Sequence, residues 1–427
     1  AAPRADAGSD AHARDALQAE DTQSLDDLRA LASREPVVQV VNAILAEAVR
    51  TGASDVHVES VADGLRVRLR LDGVLRDSQQ LGRGFRAAVL SRLKVLAGLD
   101  IAERRLPQDG RARVRIGERE LDIRVSTLPA LHGESMVLRL LDGGGTSRAQ
   151  NLEELGFSAA AREQLSRMLS RASGLVLVTG PTGSGKTTTL YAALGERSTP
   201  GVKVVTVEDP VEYRLDGVVQ LPVNTKAGFG FPSALRAILR HDPDVILVGE
   251  MRDRDTAEIA VQAALTGHLV LSTLHTTDAT GALTRLVEMG VPRYLVAATL
   301  HGVLAQRLLR TVCESCAEWR EVSGSERALL SMSVAASLRD IARVRVGKGC
   351  ADCTGTGFRG RAAIAELVLL DEALRARFVA NESLDDLRNA VRERGIASLR
   401  DDGWRLVAEG RTTVDEVVRV VSDDEAQ

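Results

Sequence analysis

The stretch GLVLVTGPTGSGKTTTL, residues 174–190, decides how this chain folds. It begins with an apolar run of the length of one buried strand. It continues with the spacing G-x-x-x-x-G-K-T, which is typical of a phosphate-binding loop that leads into a helix. The backbone N–H groups of such a loop and the helix N-terminus surround a phosphate. A plain glycine turn between strand and helix is the alternative, and it would need neither the lysine nor the hydroxyl group that follows it.

We expect this loop to bind ATP and Mg²⁺. Lys186 would reach the β- and γ-phosphate oxygens, and the Thr187 hydroxyl would bind Mg²⁺. Only five of the 55 basic residues are lysines, and a lysine at this position fits the need for a compact ammonium rather than a planar guanidinium. The predicted nucleotide site consists of Gly180, Pro181, Thr182, Gly183, Ser184, Gly185, Lys186, Thr187 and Thr188.

Length and composition limit the classes of protein. A chain of 427 residues is long enough for two to four domains. A net charge of −4 and an aromatic content of 3% argue against a protein devoted to coating nucleic acid. No apolar run reaches the length of a membrane span. The start has no Met and no apolar signal segment, so we expect a fragment of a longer protein that resides in a reducing cytoplasm.

The order of patterns divides the chain into five parts. Residues 1–24 are polar and predict a flexible tail. Residues 25–147 predict an α+β domain, with Asp72-Gly73 as a hairpin turn. Residues 148–310 alternate apolar strands with helical stretches, which predicts a mostly parallel sheet flanked by helices. Residues 311–361 carry the cysteines, and residues 362–427 predict a helical C-terminal domain.

Carboxylates and histidines follow the predicted strands of residues 148–310. The segment TVEDPVEY contains Glu208, Asp209 and Glu212 after one strand, HDPDVILVGEMRD contains Glu250 after another, and TGHLVLSTLHT has His268 and His275 on either side of a third. Each alone is more typical of a solvated turn or a helix cap. Because open sheets place their ligands at the carboxyl ends of strands, the group together predicts a hydrolytic site around the phosphate.

These motifs resemble, in order and spacing, the secretion ATPases, the hexameric motors of type II secretion and type IV pilus assembly (the GspE/PilB group). The resemblance runs from residue 25 onward and includes ASDVHVE, RLPQDGR and DIRVSTLPALHGESMVLRLLD. It implies a RecA-like ATPase domain of α/β class preceded by an α+β sandwich domain. Gly249 stands where many phosphate-loop ATPases have Asp, as is usual in this family.

The resemblance also implies roles for single residues. Glu250 would be the Walker B carboxylate, Glu208 the water-activating base and His275 the sensor of the γ-phosphate. Arg124 and Arg139 of the first domain would swing toward the γ-phosphate. Further candidates for the same site or a subunit interface are Arg236, Arg240 and Arg307.

The four cysteines form two C-x-x-C pairs, Cys313/Cys316 and Cys350/Cys353. Two such pairs supply the four thiolates of a tetrahedral Zn²⁺ site. Disulfides are the alternative, and a cytoplasmic location disfavours them. The resemblance adds that retraction ATPases of the pilus family generally lack these cysteines, which favours an assembly or secretion motor.

The resemblance therefore predicts a homo-hexameric ATPase that drives pseudopilus assembly and protein export in type II secretion. It would act in the cytoplasm at the inner membrane, through a secretion platform protein and a membrane-anchored adaptor, without nucleic acid. A type IV pilus extension ATPase is one alternative. A nucleic-acid translocase is another alternative, and the negative net charge argues against it. A nucleotide-gated scaffold without hydrolysis is a further one, and the set of carboxylates argues against that.

Overall fold

The computed structural model describes residues 25–142, 151–331 and 341–421. The chain divides into two compact units, Ala1–Thr146 and Ser147–Gln427. The tail predicted at residues 1–24 lies outside the described residues. Within the described ranges, no helix combines the length and the apolar character of a membrane span.

The first unit is a six-stranded antiparallel sheet with helices packed on one face. Its strands are ordered β3-β2-β1-β6-β5-β4. The strands are β1 Asp55–Val61, β2 Gly64–Leu71, β3 Val74–Gly82, β4 Gln108–Ile116, β5 Arg119–Ala130 and β6 Gly133–Asp142. The helices are α1 Leu25–Ala32, α2 Glu35–Thr51 and α3 Arg86–Ala97.

Alternation of apolar and polar residues produces this one-sided sheet. Leu121, Ile123 and Val125 of β5 are buried and belong to a core that includes residues of α2 and α3. Successive side chains of a strand point to opposite faces, so the residues between them lie on the other face of the sheet. Asp72 and Gly73 both have positive φ and join β2 to β3 with Leu71 paired to Val74. The predicted two-residue hairpin is confirmed.

The second unit contains a seven-stranded sheet in the order β15-β12-β7-β11-β10-β8-β9. Its pairs are parallel except that of β12 with β15. The strands are β7 Gly174–Thr179, β8 Val204–Glu208, β9 Val218–Pro222, β10 Val245–Val248, β11 Leu269–Leu274, β12 Leu300–Val312 and β15 Phe358–Leu369. The helices before residue 300 are α4 Ala159–Leu169, α5 Lys186–Arg197, α6 Phe231–Ile238, α7 Arg254–Leu265, α8 Ala279–Glu288 and α9 Arg293–Thr299.

This sheet is covered on both faces. Leu175 and Leu177 of β7 join one core cluster, whereas Val176 and Val178 join another. Every residue of β7 is buried, as expected for a parallel strand between two helical layers. The predicted α/β architecture is therefore present, with β7 as an interior strand between β12 and β11.

Residues after 300 continue the same unit. The predicted boundary between residues 361 and 362 falls inside β15, which pairs with β12 from Gly302 to Val312. The helical part begins later, with α11 Glu372–Val379, α12 Leu384–Glu393, α13 Leu399–Ala408 and α14 Val414–Val421. Between β12 and β15, a small pair of strands, β13 Ala317–Glu321 and β14 Arg343–Gly347, and helix α10 Gly324–Leu330 form the cysteine-containing region.

Candidate active site

The loop at residues 180–185 connects β7 to α5, which begins at Lys186. Gly180 and Gly185 both have positive φ, 146° and 87°. A Cβ atom at Gly180 would lie 2.5 Å from the carbonyl oxygen of Gln306, and one at Gly185 would lie 2.8 Å from the Gln306 side-chain nitrogen. Both positions therefore require glycine, and the predicted strand–loop–helix order is present.

Lys186 lies within the loop. Its Nζ donates hydrogen bonds to the carbonyl oxygens of Gly180, at 2.7 Å, and Pro181, at 3.0 Å. Burial, followed by the positive charge of Arg307, lowers the pKa of Lys186 to about 8, while Glu250 acts in the opposite direction. A buried ammonium with a lowered pKa gains from an additional anionic neighbour, and a phosphate group would supply one.

Glu250 and His275 lie together beside this lysine. Glu250 follows β10, and its carboxylate accepts a hydrogen bond of 2.6 Å from Arg252 Nε. The His275 Nε2 atom lies 3.6 Å from the same carboxylate. Burial and then the charge of Lys186 lower the pKa of His275, so its imidazole is neutral at neutral pH. The geometry thus places a carboxylate, a neutral imidazole and an ammonium around one loop.

His268 is separate from this group. It precedes β11, whereas His275 follows it, and its Nδ1 atom lies 2.9 Å from the carbonyl oxygen of Ala263 near the end of α7. This contact with a carbonyl oxygen of the last turn of α7 indicates a role in capping that helix. Of the two histidines considered in the sequence, only His275 lies near Glu250 in this structure.

Glu208 is at the end of β8 and is 3% exposed. Its carboxylate accepts hydrogen bonds from the Tyr191 hydroxyl, from Thr206 Oγ1 at 2.6 Å and from Gln220 Nε2 at 3.2 Å. The same partners hold the following segment: the Glu212 N–H lies 3.4 Å from the Tyr191 hydroxyl oxygen. Glu208 is therefore the centre of a buried network, whereas Glu212 is partly exposed.

Two residues of β12, Gln306 and Arg307, contact the phosphate loop and the segment after β11 from behind. Ala305 is paired with Thr179, the last residue of β7, so β12 continues past the point where β7 becomes the loop. Gln306 donates to the Ser184 carbonyl oxygen at 2.8 Å. Arg307 is 3% exposed and donates to the Thr277 carbonyl oxygen at 2.8 Å. Sequence reasoning gave Arg307 little weight and missed Gln306; adjacent polar residues in an otherwise apolar strand were the available signal.

Arg124 and Arg139 belong to the first unit. They are directly paired across β5 and β6. Arg139 forms an ion pair with Asp55 of β1, with Nε and Oδ1 3.0 Å apart. The structure thus brings the two arginines together with each other, on a different unit from the phosphate loop.

The four cysteines form one cluster. Their Sγ atoms all lie within 4.8 Å of one another, and three of the pairs are 3.7, 3.8 and 3.9 Å apart. Cys353 Sγ also accepts backbone N–H groups of Cys350 and Gly357, at 3.1 and 3.2 Å. A disulfide bond would need sulfur atoms about 2.05 Å apart, so no disulfide joins these four cysteines.

Comparison with known proteins gives a consistent result. The family model described as "Type II/IV secretion system protein" matches residues 30–419. The chain is 48% identical over 409 residues to "Type II secretion system protein E" of Pseudomonas aeruginosa, covering 96% of this chain and 80% of that protein. It is 45% identical to "Type II secretion system ATPase E" of Vibrio cholerae, covering 95% of this chain and 79% of that one.

Solved structures share the fold. The pilus retraction motor PilT with bound ADP is 25% identical, with a TM-score of 0.59, and the match covers 88% of this chain and 96% of that one. The ATPase DotB of Legionella pneumophila is 20% identical, with a TM-score of 0.64, covering 88% and 93%. The resemblance inferred from the motifs is confirmed. The chain belongs to the Type II/IV secretion system protein family and is a secretion ATPase.

Proposed function

We propose that this chain hydrolyses ATP with Mg²⁺ as a homo-hexamer and that the energy drives pseudopilus assembly and protein export by type II secretion. The observation that carries the proposal is the grouping of Lys186, Glu250 and His275 at the phosphate loop of a secretion ATPase. Pilus extension is the second candidate; the names of relatives matched over most of the chain favour secretion.

The roles follow from position and charge. Residues 180–188 would hold the triphosphate, with the Lys186 ammonium at its β- and γ-oxygens and the Thr187 hydroxyl at Mg²⁺. Glu250 would supply negative charge to the metal ion, and His275 would donate a hydrogen bond toward the γ-phosphate. For Arg124 and Arg139 the proposal rests on the family resemblance alone: they would bring positive charge to the transferred phosphoryl group, which can be worth about 10³–10⁵ in rate in related chemistry.

We infer that the cysteine cluster holds structural Zn²⁺. Four sulfurs at a Zn–S distance of about 2.3 Å on a tetrahedron lie about 3.8 Å apart. Three of the Sγ separations, 3.7, 3.8 and 3.9 Å, agree with this value, and all four atoms lie within 4.8 Å of one another. With all four ligands supplied by the chain, the site has no open position for catalysis.

The proposed partners are an inner-membrane secretion platform protein and a membrane-anchored adaptor. Through them the motor would act at the cytoplasmic face of the inner membrane. Support comes from the family alone. We propose no nucleic-acid partner, in keeping with the net charge of −4.

ATP turnover per subunit across a wide range of protein concentration tests the hexamer. A rate per subunit that rises with concentration, and disappears in Lys186→Ala, is expected if neighbouring subunits complete each other's sites. A flat rate that still depends on Lys186 would mean that each subunit is sufficient alone. That outcome would contradict the ring while leaving the ATPase activity in place.

Glu208→Gln tests the water-activating base. We expect kcat to fall about 100-fold or more, because an amide cannot accept the proton of the attacking water. Tyr191→Phe is the matched control: it removes one hydrogen bond to Glu208 but keeps the carboxylate, so kcat should fall only several-fold. Equal losses in the two variants would instead give Glu208 a structural role. Glu212→Gln, assayed alongside, would then show whether Glu212 is the base.

A further inference from the structure

The short segment between β11 and α8, residues 275–278, carries His275 and is held from several sides. The Thr276 N–H donates to Thr179 Oγ1 at 2.9 Å, next to the phosphate loop. Arg307 donates to the Thr277 carbonyl oxygen on the same side. These contacts fix the first half of the segment to the nucleotide side of the sheet.

The second half is fixed by a residue far along the chain. Asp278 Oδ2 accepts a hydrogen bond of 2.8 Å from Nε of Arg388, a residue of α12, and forms an ion pair with its Nη2 at 2.7 Å. The other carboxylate oxygen, Oδ1, accepts the Gly281 N–H at 2.5 Å and caps α8. Because Oδ1 of Asp278 caps α8 and Oδ2 binds Arg388, the helix cap does not depend on the arginine.

A second anchor from the C-terminal side lies next to this one. Glu366 of β15 accepts the N–H of Ala279, the first residue of α8, at 3.0 Å. The charges of Asp278 and Arg388 both act on the Glu366 carboxyl group, as does that of Arg392. The start of α8 and the segment before it are therefore tied to both β15 and α12.

We propose that Arg388 is a positioning residue for His275: by holding Asp278, it fixes the segment that carries the imidazole beside Glu250. The inference rests on the proposed role of His275 at the γ-phosphate. Arg388 itself touches no reacting atom. Its effect should therefore appear in turnover rather than in nucleotide binding, since the phosphate loop keeps its own contacts.

Arg388→Gln is the first variant. We expect kcat to fall about tenfold or more with KM for ATP nearly unchanged, because a small displacement caused by a distant mutation can cost up to about 100-fold in rate. Asp278→Asn keeps an N-cap side chain, since Asn caps as well as Asp, and should show the same loss. The double variant should lose no more than either single one. Arg388→Lys, which keeps a cation, should recover part of the activity.

Arg377→Gln is the matched control. Arg377 of α11 pairs with Glu382 at 2.6 Å and is 37% exposed, against 35% for Arg388, but its ion pair lies outside the His275 segment. It should retain the original kcat. If Arg388→Gln stays within about twofold of the original kcat, or loses no more than Arg377→Gln, the inference is wrong.

Measurements in the His275→Ala variant distinguish failure of this inference from failure of the proposed function. In His275→Ala, adding Arg388→Gln should cost less than about twofold in the remaining Lys186-dependent turnover, because the group being positioned is gone. A full additional loss would overturn the link to His275. If His275→Ala alone leaves turnover unchanged, the proposed sensor role fails, and the positioning inference that rests on it fails too. A loss in His275→Ala with none in Arg388→Gln would sink the positioning inference alone.

Discussion

Lys186→Ala is expected to reduce ATP turnover by about 10²–10³-fold or more, the loss typical of removing a group that stabilises charge in the transition state. The Lys186 ammonium donates hydrogen bonds to the loop carbonyl oxygens of Gly180 and Pro181, so removing it takes away the positive charge that the lysine brings to the loop. By the usual conversion this loss is about 3–4 kcal/mol of activation free energy.

Two further variants make this result specific. Lys186→Arg keeps the charge but replaces a compact ammonium with a bulkier planar fork, and we expect it to be nearly as inactive. Lys226→Ala removes an exposed lysine of the same unit and should have the original rate. Steady-state phosphate release measures all three. Substantial turnover in Lys186→Ala would mean that the phosphate loop is not where hydrolysis occurs.

Cys353→Ser is expected to release the metal and unfold the cysteine-containing region. Cys353 Sγ accepts two backbone N–H groups in addition to its place in the cluster, and a serine oxygen is a poor ligand for Zn²⁺. Structural zinc can contribute about 10–16 kcal/mol of apparent binding free energy to local folding in isolated zinc-finger peptides. Hydrogen exchange of residues 313–331 and 341–358 should therefore become fast.

Metal content decides this prediction. The original chain should contain about one Zn²⁺ per molecule and Cys353→Ser close to none. Ser315→Ala, a substitution between two of the cysteines that keeps all four thiols, should retain the metal and slow exchange. Less than about half an equivalent in the fully folded original chain, or unchanged exchange in Cys353→Ser, would contradict a structural zinc site.

Local patterns explain what the sequence predicted well. The glycines and lysine of residues 180–186 are close together in the sequence and identify the loop by their spacing, and Asp72-Gly73 identifies its turn in the same way. Each cysteine pair is also a local pattern. The two pairs are far apart in the sequence, and the fold brings them together. Such features can be predicted from sequence because the residues that define each of them are only a few positions apart.

Long-range partners explain what was missed. Gln306 contacts Ser184 across 122 positions, and Arg388 contacts Asp278 across 110, distances at which sequence spacing carries no information. Strand β15 pairs with β12, and its side chains enter core clusters on both faces of the sheet, so its apolar residues do not alternate along the sequence. The burial of Glu208 was unexpected for a similar reason, since Thr206, Tyr191 and Gln220 come from three different elements.

The position of β12 in the sheet limits which parts of the nucleotide site can open locally. It is bordered by β7 along one edge and by β15 along the other, so its amides can be freed only if two neighbouring strands separate. Opening of that kind costs close to the full unfolding free energy of the unit. The rear of the nucleotide site therefore remains rigid on the timescale of turnover. We therefore expect any opening and closing during a catalytic cycle in segments outside the strands that are less firmly held, such as residues 209–217.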